Sequence, residues 1–114
     1  MTSVTQIDSL TPRHQEWLNC VAFTFYDNNQ PDKAMALWQA ILSVNPDDLY
    51  AAVALCQVYL QKKSYDEAVN LCLQLVEVEA IPIKIYLVLS QAYLGLEQYN
   101  EARVWANKYM ESNQ

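Results

Sequence analysis

Few residues of this chain have the type and spacing for chemistry: His14, the cysteines Cys20, Cys56 and Cys72, and the acidic pairs Asp47-Asp48, Asp66-Glu67 and Glu77 with Glu79. General acid or base work needs a partner group within hydrogen-bond reach, and a lone His at a helix start beside a polar tail reads as a solvent-exposed residue. The cysteines lie 36 and 16 residues apart, with no Cys-x-x-Cys pair and a single His to join them, so zinc-ligand and redox spacings are absent. They read as buried free thiols of a reducing compartment. The acidic pairs read as helix-terminal or surface groups, favoured near a helix start by the backbone dipole. No acid, base and nucleophile converge. The expectation is a protein that is not an enzyme and holds no metal or cofactor.

Composition narrows the partners. The chain has one Gly, whereas a loop that cradles a pyrophosphate needs several positions without Cβ. Seven basic against thirteen acidic residues leave a net charge of −6, with no run of Lys or Arg to neutralise phosphates, so nucleic acid is excluded as a natural ligand. The opening Met-Thr-Ser-Val-Thr-Gln-Ile-Asp lacks the basic segment and apolar core of a signal peptide, and no apolar run is long enough to span a bilayer. These features predict a soluble cytoplasmic protein without membrane insertion. At 114 residues one core is expected, burying about two thirds of the unfolded surface.

The elements that position these groups come from a repeat. Residues 55–68 return as residues 89–102 at an interval of 34: Leu55 matches Leu89, Cys56 Ser90, Tyr59 Tyr93, Leu60 Leu94, Tyr65 Tyr99, Glu67 Glu101 and Ala68 Ala102. A looser copy precedes them at Val21, Ala22, Phe25, Pro31 and Ala34. A fixed period of this size marks stacked supersecondary units. Thr11-Pro12 opens a first helix that carries Trp17, Leu18, Val21, Ala22 and Phe25 and stops near 27–30. Pro31 begins a second helix, with Ala34, Leu37, Trp38, Ile41 and Leu42 on one stripe, and Asn45-Pro46 ends it. A third runs over about 46–61. Ser64 and Glu67 predict a capping box for a fourth helix over about 65–77, buried through Ala68, Leu71, Cys72 and Leu75. Pro82 separates it from a fifth over about 83–94, which Gly95 is placed to end with positive φ. The last covers about 98–110, with Ala102, Trp105, Ala106 and Tyr109.

The pattern of a small residue, an aromatic three later, Ala nine further on, and apolar groups four and seven beyond that resembles the tetratricopeptide repeat. It reads Ala22, Phe25, Ala34, Trp38, Ile41 and Pro46; then Cys56, Tyr59, Ala68, Cys72 and Leu75; then Ser90, Tyr93, Ala102, Ala106 and Tyr109. The resemblance implies an all-α fold of three tetratricopeptide repeats, 15–48, 49–82 and 83–114, stacked as a short right-handed α-solenoid. One such domain would cover 11–114 behind a flexible tail over 1–10. Position 80 carries Ala where the repeat usually has Pro, and Pro82 comes two residues late. No polar capping helix follows the third repeat, so the Trp105 and Tyr109 face is expected to need cover.

A narrower resemblance rests on the opening residues 10–18, the hinge 42–46, Leu89-Ser90-Gln91-Ala92 and Glu101-Ala102-Arg103 before Tyr109-Met110-Glu111. These are similar to the YscY (SctY) chaperones of bacterial type III secretion. That likeness implies a cytoplasmic bacterial chaperone that binds a small secreted YscX-like protein as a 1:1 heterodimer, with the export-gate component of the apparatus as a further candidate partner. A homodimer is the alternative state of the chain alone. In tetratricopeptide folds the first helix of each pair lines a concave surface, which places Asn19, Phe23, Tyr26, Tyr50, Val53, Gln57, Leu60, Lys84, Leu87, Gln91 and Leu94 in a partner-binding groove. The helices over 49–60 and 83–94 are apolar on several faces, more than one packed stripe requires. Such a groove suits an amphipathic helix or an extended segment. The alternative is a general adaptor or co-chaperone that binds another protein's helix or tail. An acidic-tail clamp, one form of it, needs several basic and amide side chains, and only Asn19 and Lys84 stand at such positions.

Overall fold

The computed structural model describes residues 11–113, and the tail expected over residues 1–10 lies outside them. The described residues form six helices and no strand: α1 (Pro12–Asp27), α2 (Pro31–Val44), α3 (Leu49–Gln61), α4 (Tyr65–Leu75), α5 (Lys84–Gly95) and α6 (Tyr99–Ser112). The fold is the all-α tetratricopeptide arrangement that the repeat implied. The chain divides into two compact units, Met1–Leu55 and Cys56–Gln114, with the boundary inside α3.

In the N-terminal unit Thr11 caps α1, its Oγ1 accepting the His14 N–H at 3.2 Å, with Pro12 at the first helical position. α1 packs on α2. Ala22 and Ala34 are fully buried, and their small side chains let the two backbones approach; Trp38 and Ile41 fill the space beside them. α3 starts at Leu49, three residues later than expected from Pro46. The reason is Asp48. Its N–H donates to the Asn45 carbonyl at 3.1 Å and closes a turn, and its Oδ1 accepts the Ala51 N–H at 3.0 Å as a helix cap.

In the C-terminal unit α5 packs on both α4 and α6. Cys56, Ala68, Cys72, Ile85, Leu89 and Ala92 are fully buried, and Leu71 is only half-buried. The Ser90 hydroxyl donates to the Ala102 carbonyl at 2.8 Å and ties α5 to α6 where both side chains are small. The predicted capping box is absent: Ser64 makes no side-chain cap bond, and α4 ends at Leu75. A capping box needs a free N–H at the cap for the Glu67 carboxylate, whereas the Ser64 N–H is already given to the Tyr59 carbonyl at 2.8 Å.

That last bond belongs to a turn that repeats with the period of the sequence. Asn29, Lys63 and Glu97 take φ of 63°, 61° and 61°. After each, Gln30, Ser64 and Gln98 donate to the carbonyls of Phe25, Tyr59 and Tyr93 at 2.8, 2.8 and 2.9 Å. This is the closure of a Schellman motif, and it satisfies a carbonyl that the helix end leaves open. Gly95 therefore does not end α5 with positive φ; the left-handed position falls two residues later, at Glu97. Gly95 instead lies under Tyr65, where a Cβ would overlap the ring. Ala80 also has a positive φ, 64°, which the ring of a proline forbids, so the departure from the usual Pro at this position has a conformational cause.

Three further expectations change. Cys20 is exposed, on the α1 face that carries Glu16, while Cys56 and Cys72 are fully buried. Trp17 is 63% exposed and contributes little to the core. Asp48, read as one of a helix-terminal or surface pair, is helix-terminal as the cap of α3 but buried.

Candidate partner-binding surface

In the N-terminal unit the surface rests on a polar network that the sequence did not announce. Asp48 Oδ2 accepts from Asn19 Nδ2 at 3.0 Å and from Gln15 Nε2 at 2.7 Å. Asn19 Nδ2 also donates to the Gln15 carbonyl at 3.1 Å, and its Oδ1 accepts the Trp38 indole N–H at 3.0 Å. Asn45 Nδ2 closes the set by donating to Gln15 Oε1 at 2.6 Å. Four residues from α1, α2 and the turns around them are thereby held to the Asp48 carboxylate or to each other. Among the described residues no buried side-chain polar atom lacks a partner, the condition under which a buried network adds rigidity instead of strain.

Above this network stands an aromatic group. Phe23 meets Trp38 edge-on at 5.6 Å between centroids and 85°, and meets Tyr50 at 5.7 Å and 64°. Tyr26 completes it, 6.3 Å from Phe23 and 6.2 Å from Trp38. Edge-to-face contacts of this kind favour one orientation of each ring. Trp38 is buried and fixes the set from below, while Tyr50 is 54% exposed and presents its ring outward. Beside Tyr50 lies a cleft of about 470 Å³, lined by Gln15, Glu16, Asn19, Cys20, Asp48 and Tyr50. Partial burial raises the Tyr50 phenol above its usual range, with smaller electrostatic contributions from Cys20 and Asp27 in the same direction.

Of the residues assigned to the groove, the structure brings Asn19, Phe23, Tyr26 and Tyr50 together in this unit. Asn19 is buried, and both of its amide hydrogens are engaged, so it supports the surface from beneath and offers no donor to a partner. Val53 is buried as well. In the C-terminal unit Gln57 and Leu60 are half-buried on α3, and Lys84, Leu87, Gln91 and Leu94 follow one another at helical spacing on α5. Leu87 is half-buried; Lys84, Gln91 and Leu94 are exposed. The Trp105 face is partly covered from within the unit, by Tyr86 stacked at 5.9 Å and 21° and by the Lys108 ammonium at 5.9 Å from the ring centre.

The buried thiols form a pair. Cys56 on α3 and Cys72 on α4 are hydrogen-bonded to each other, and that bond, together with burial, pushes the Cys56 thiol far above the usual cysteine range. Among the described residues no group of three or more His, Cys, Asp or Glu side chains could hold a metal ion, and no helix is long and apolar enough to cross a membrane. Gln15, Asn45 and Asp48 are the contributors that sequence reasoning missed. An Asp immediately before an apolar helical run is a cap signal, and it was the one available clue to Asp48.

The tetratricopeptide repeat family matches residues 25–80. The chain is similar to the Hsp70-Hsp90 organising protein of Plasmodium falciparum (isolate 3D7), 28% identical over 85 residues that cover 68% of this chain and 15% of that protein. It therefore spans a small part of that relative's length.

Proposed function

We propose that this chain, which the tetratricopeptide repeat family matches over residues 25–80, is a non-catalytic chaperone that binds one other protein and shields its apolar segments. The partner in this proposal is a small secretion substrate of the YscX type, held in the bacterial cytoplasm until it is passed to the type III export apparatus, as the likeness to YscY chaperones implies. The observation that carries the binding role is Tyr50, a large aromatic side chain left 54% exposed although its ring orientation is set by Phe23 and, through it, by buried Trp38. A rigid exposed aromatic over a satisfied polar network is the form of a binding anchor, because little side-chain entropy remains to be lost on association.

A second function, an adaptor that joins other proteins, is favoured by the similarity to a protein named for organising two heat-shock proteins. In its acidic-tail form this role needs Asn19 as a free donor, and the engagement of that amide with Gln15 and Asp48 argues against it.

Mass spectrometry of what copurifies with the tagged chain, expressed at low level in its native host, separates the two. A small secretion protein in 1:1 ratio supports the chaperone, and a heat-shock protein supports the adaptor. Tyr50→Glu and Leu87→Glu are expected to abolish copurification while helicity by circular dichroism is kept. Binding retained by both variants places the contact elsewhere on the molecule.

A further inference from the structure

The cleft beside Tyr50 has a charge pattern that selects among partners. Glu16, Cys20, Phe23 and Asp27 follow one another down α1, and the eleven residues from Glu16 to Asp27 return to within about 20° of the same face, about 16 Å further along the axis. Both carboxylates are exposed. Asp27 is the last residue of α1, at the negative end of the helix dipole, and the last turn holds no basic residue to offset it. No cationic side chain lines the cleft. Of the two basic residues in this unit, Arg13 lies in the first turn of α1, and Lys33 holds its ammonium 5.7 Å from the centre of the Phe25 ring, on a different stripe. Glu16 and the exposed Tyr50 ring line an open volume of about 470 Å³, within the usual size of a ligand site, and Asp27 stands further along the same face of α1.

We infer that this cleft receives a partner segment carrying a bulky apolar side chain between two basic residues about 16 Å apart, the apolar group seated against Tyr50 and the basic groups facing Glu16 and Asp27. The inference rests on the proposed partner-binding role and gives that role a charge preference. It is opposite in sign to an acidic-tail clamp. Complementary charge at the two ends fixes the register of the segment and speeds encounter, while the aromatic contact supplies most of the affinity.

The test titrates the full chain with a fluorescein-labelled helical peptide bearing two lysines about three turns apart around a central phenylalanine, and with a twin in which both lysines are glutamate. The lysine peptide is expected to bind, more weakly as salt rises, and the glutamate peptide to bind at least about tenfold less well. In the Glu16→Lys, Asp27→Lys double variant the preference is expected to reverse; both positions are exposed, so the fold is kept and circular dichroism checks it. Equal binding of the two peptides, an unchanged preference in the double variant, or no binding of either overturns the inference. The same variant is then carried into the native-host copurification. Loss of the secretion partner supports the inference, and its retention with unchanged salt sensitivity overturns the inference while leaving the chaperone role standing. A wild-type chain that captures no secretion partner overturns the chaperone role instead, and the peptide titration still decides the charge preference.

Discussion

Asn19 Nδ2 and Asp48 Oδ2 lie 3.0 Å apart in the interior of the N-terminal unit, and this bond joins the middle of α1 to the residue that caps α3. The carboxylate does two things at once. It caps α3 through Ala51, and it orders the Gln15 and Asn19 amides beneath the aromatic group. Asp48→Ala removes the cap and leaves buried donors without an acceptor, which is expected to lower the unfolding free energy by about 2–4 kcal/mol. Urea denaturation measures it. Asp48→Asn keeps an acceptor for Ala51 and is expected to lose less; equal losses in the two variants show that the cap matters less than the charge.

The turn residues Lys63 and Glu97 hold left-handed backbone without being Gly or Asn. A side chain there is disfavoured by about 1 kcal/mol, so Lys63→Gly and Glu97→Gly are expected to raise stability by up to that amount, despite the greater freedom Gly gives the unfolded chain. Asn29→Gly, at the equivalent position, is expected to change little because Asn tolerates this conformation. Thermal unfolding of the three variants gives the comparison.

Gly95 and Tyr65 are coupled by shape. In isolation Gly95→Ala should favour α5 by about 1 kcal/mol, since Ala is the better helix former. Here the new methyl meets the Tyr65 ring, which must move aside. A double-mutant cycle is expected to show an unfavourable coupling of about 1 kcal/mol between the Gly95→Ala substitution and the ring, relieved in the Tyr65→Ala background. Additive effects show that the ring moves freely.

Ala68 is fully buried against its neighbours. Ala68→Leu is expected to overpack that site and lower stability by about 1–3 kcal/mol, read by urea denaturation. A neutral result indicates room that the packing does not reveal.

The thiols are expected to react unequally. Exposed Cys20 should be modified by an aromatic disulfide reagent in the folded protein, whereas Cys56 and Cys72 should react only on unfolding. Because the folded-state value of Cys56 is raised, the folded protein keeps this proton when the unfolded chain would release it. Its contribution to stability is therefore complete below the unfolded thiol range, near pH 8.5, and is lost above it by up to about 1.4 kcal/mol per pH unit. Cys56→Ala is expected to remove that part of the pH dependence, measured against the parent chain from pH 7 to about 10.

Much of the architecture was legible in the sequence because its causes are local. Proline at the first turn of α1 and α2, Thr11 as a cap, and the recurrence of Ala34, Ala68 and Ala102 depend on residues near one another in the chain or on a 34-residue period that reading along it detects. The helices follow within a few residues of where these signals place them. The failures have causes of a different range. The Ser64 box was lost to a carbonyl five residues back, and the role assigned to Gly95 passed to Glu97, because the Schellman closure governs which N–H is free and which residue turns left-handed.

What the amino-acid order determined by itself is the repeat, the six helices and the small residues at which they cross, since periodicity and steric preference act over a few turns. What only the tertiary structure decided is the standing of individual polar and aromatic side chains. Asp48 looked like half of a helix-terminal or surface pair and is both a helix cap and a buried hub. Asn19 looked like a groove amide and is bound beneath the surface, and Cys20 looked buried and is exposed. The buried roles of Asp48 and Asn19 depend on partners 19 to 33 residues apart in the chain, and that of Cys20 on which face of α1 its neighbour covers. No local pattern encodes those distances, so packing alone made the surface around Tyr50 what it is.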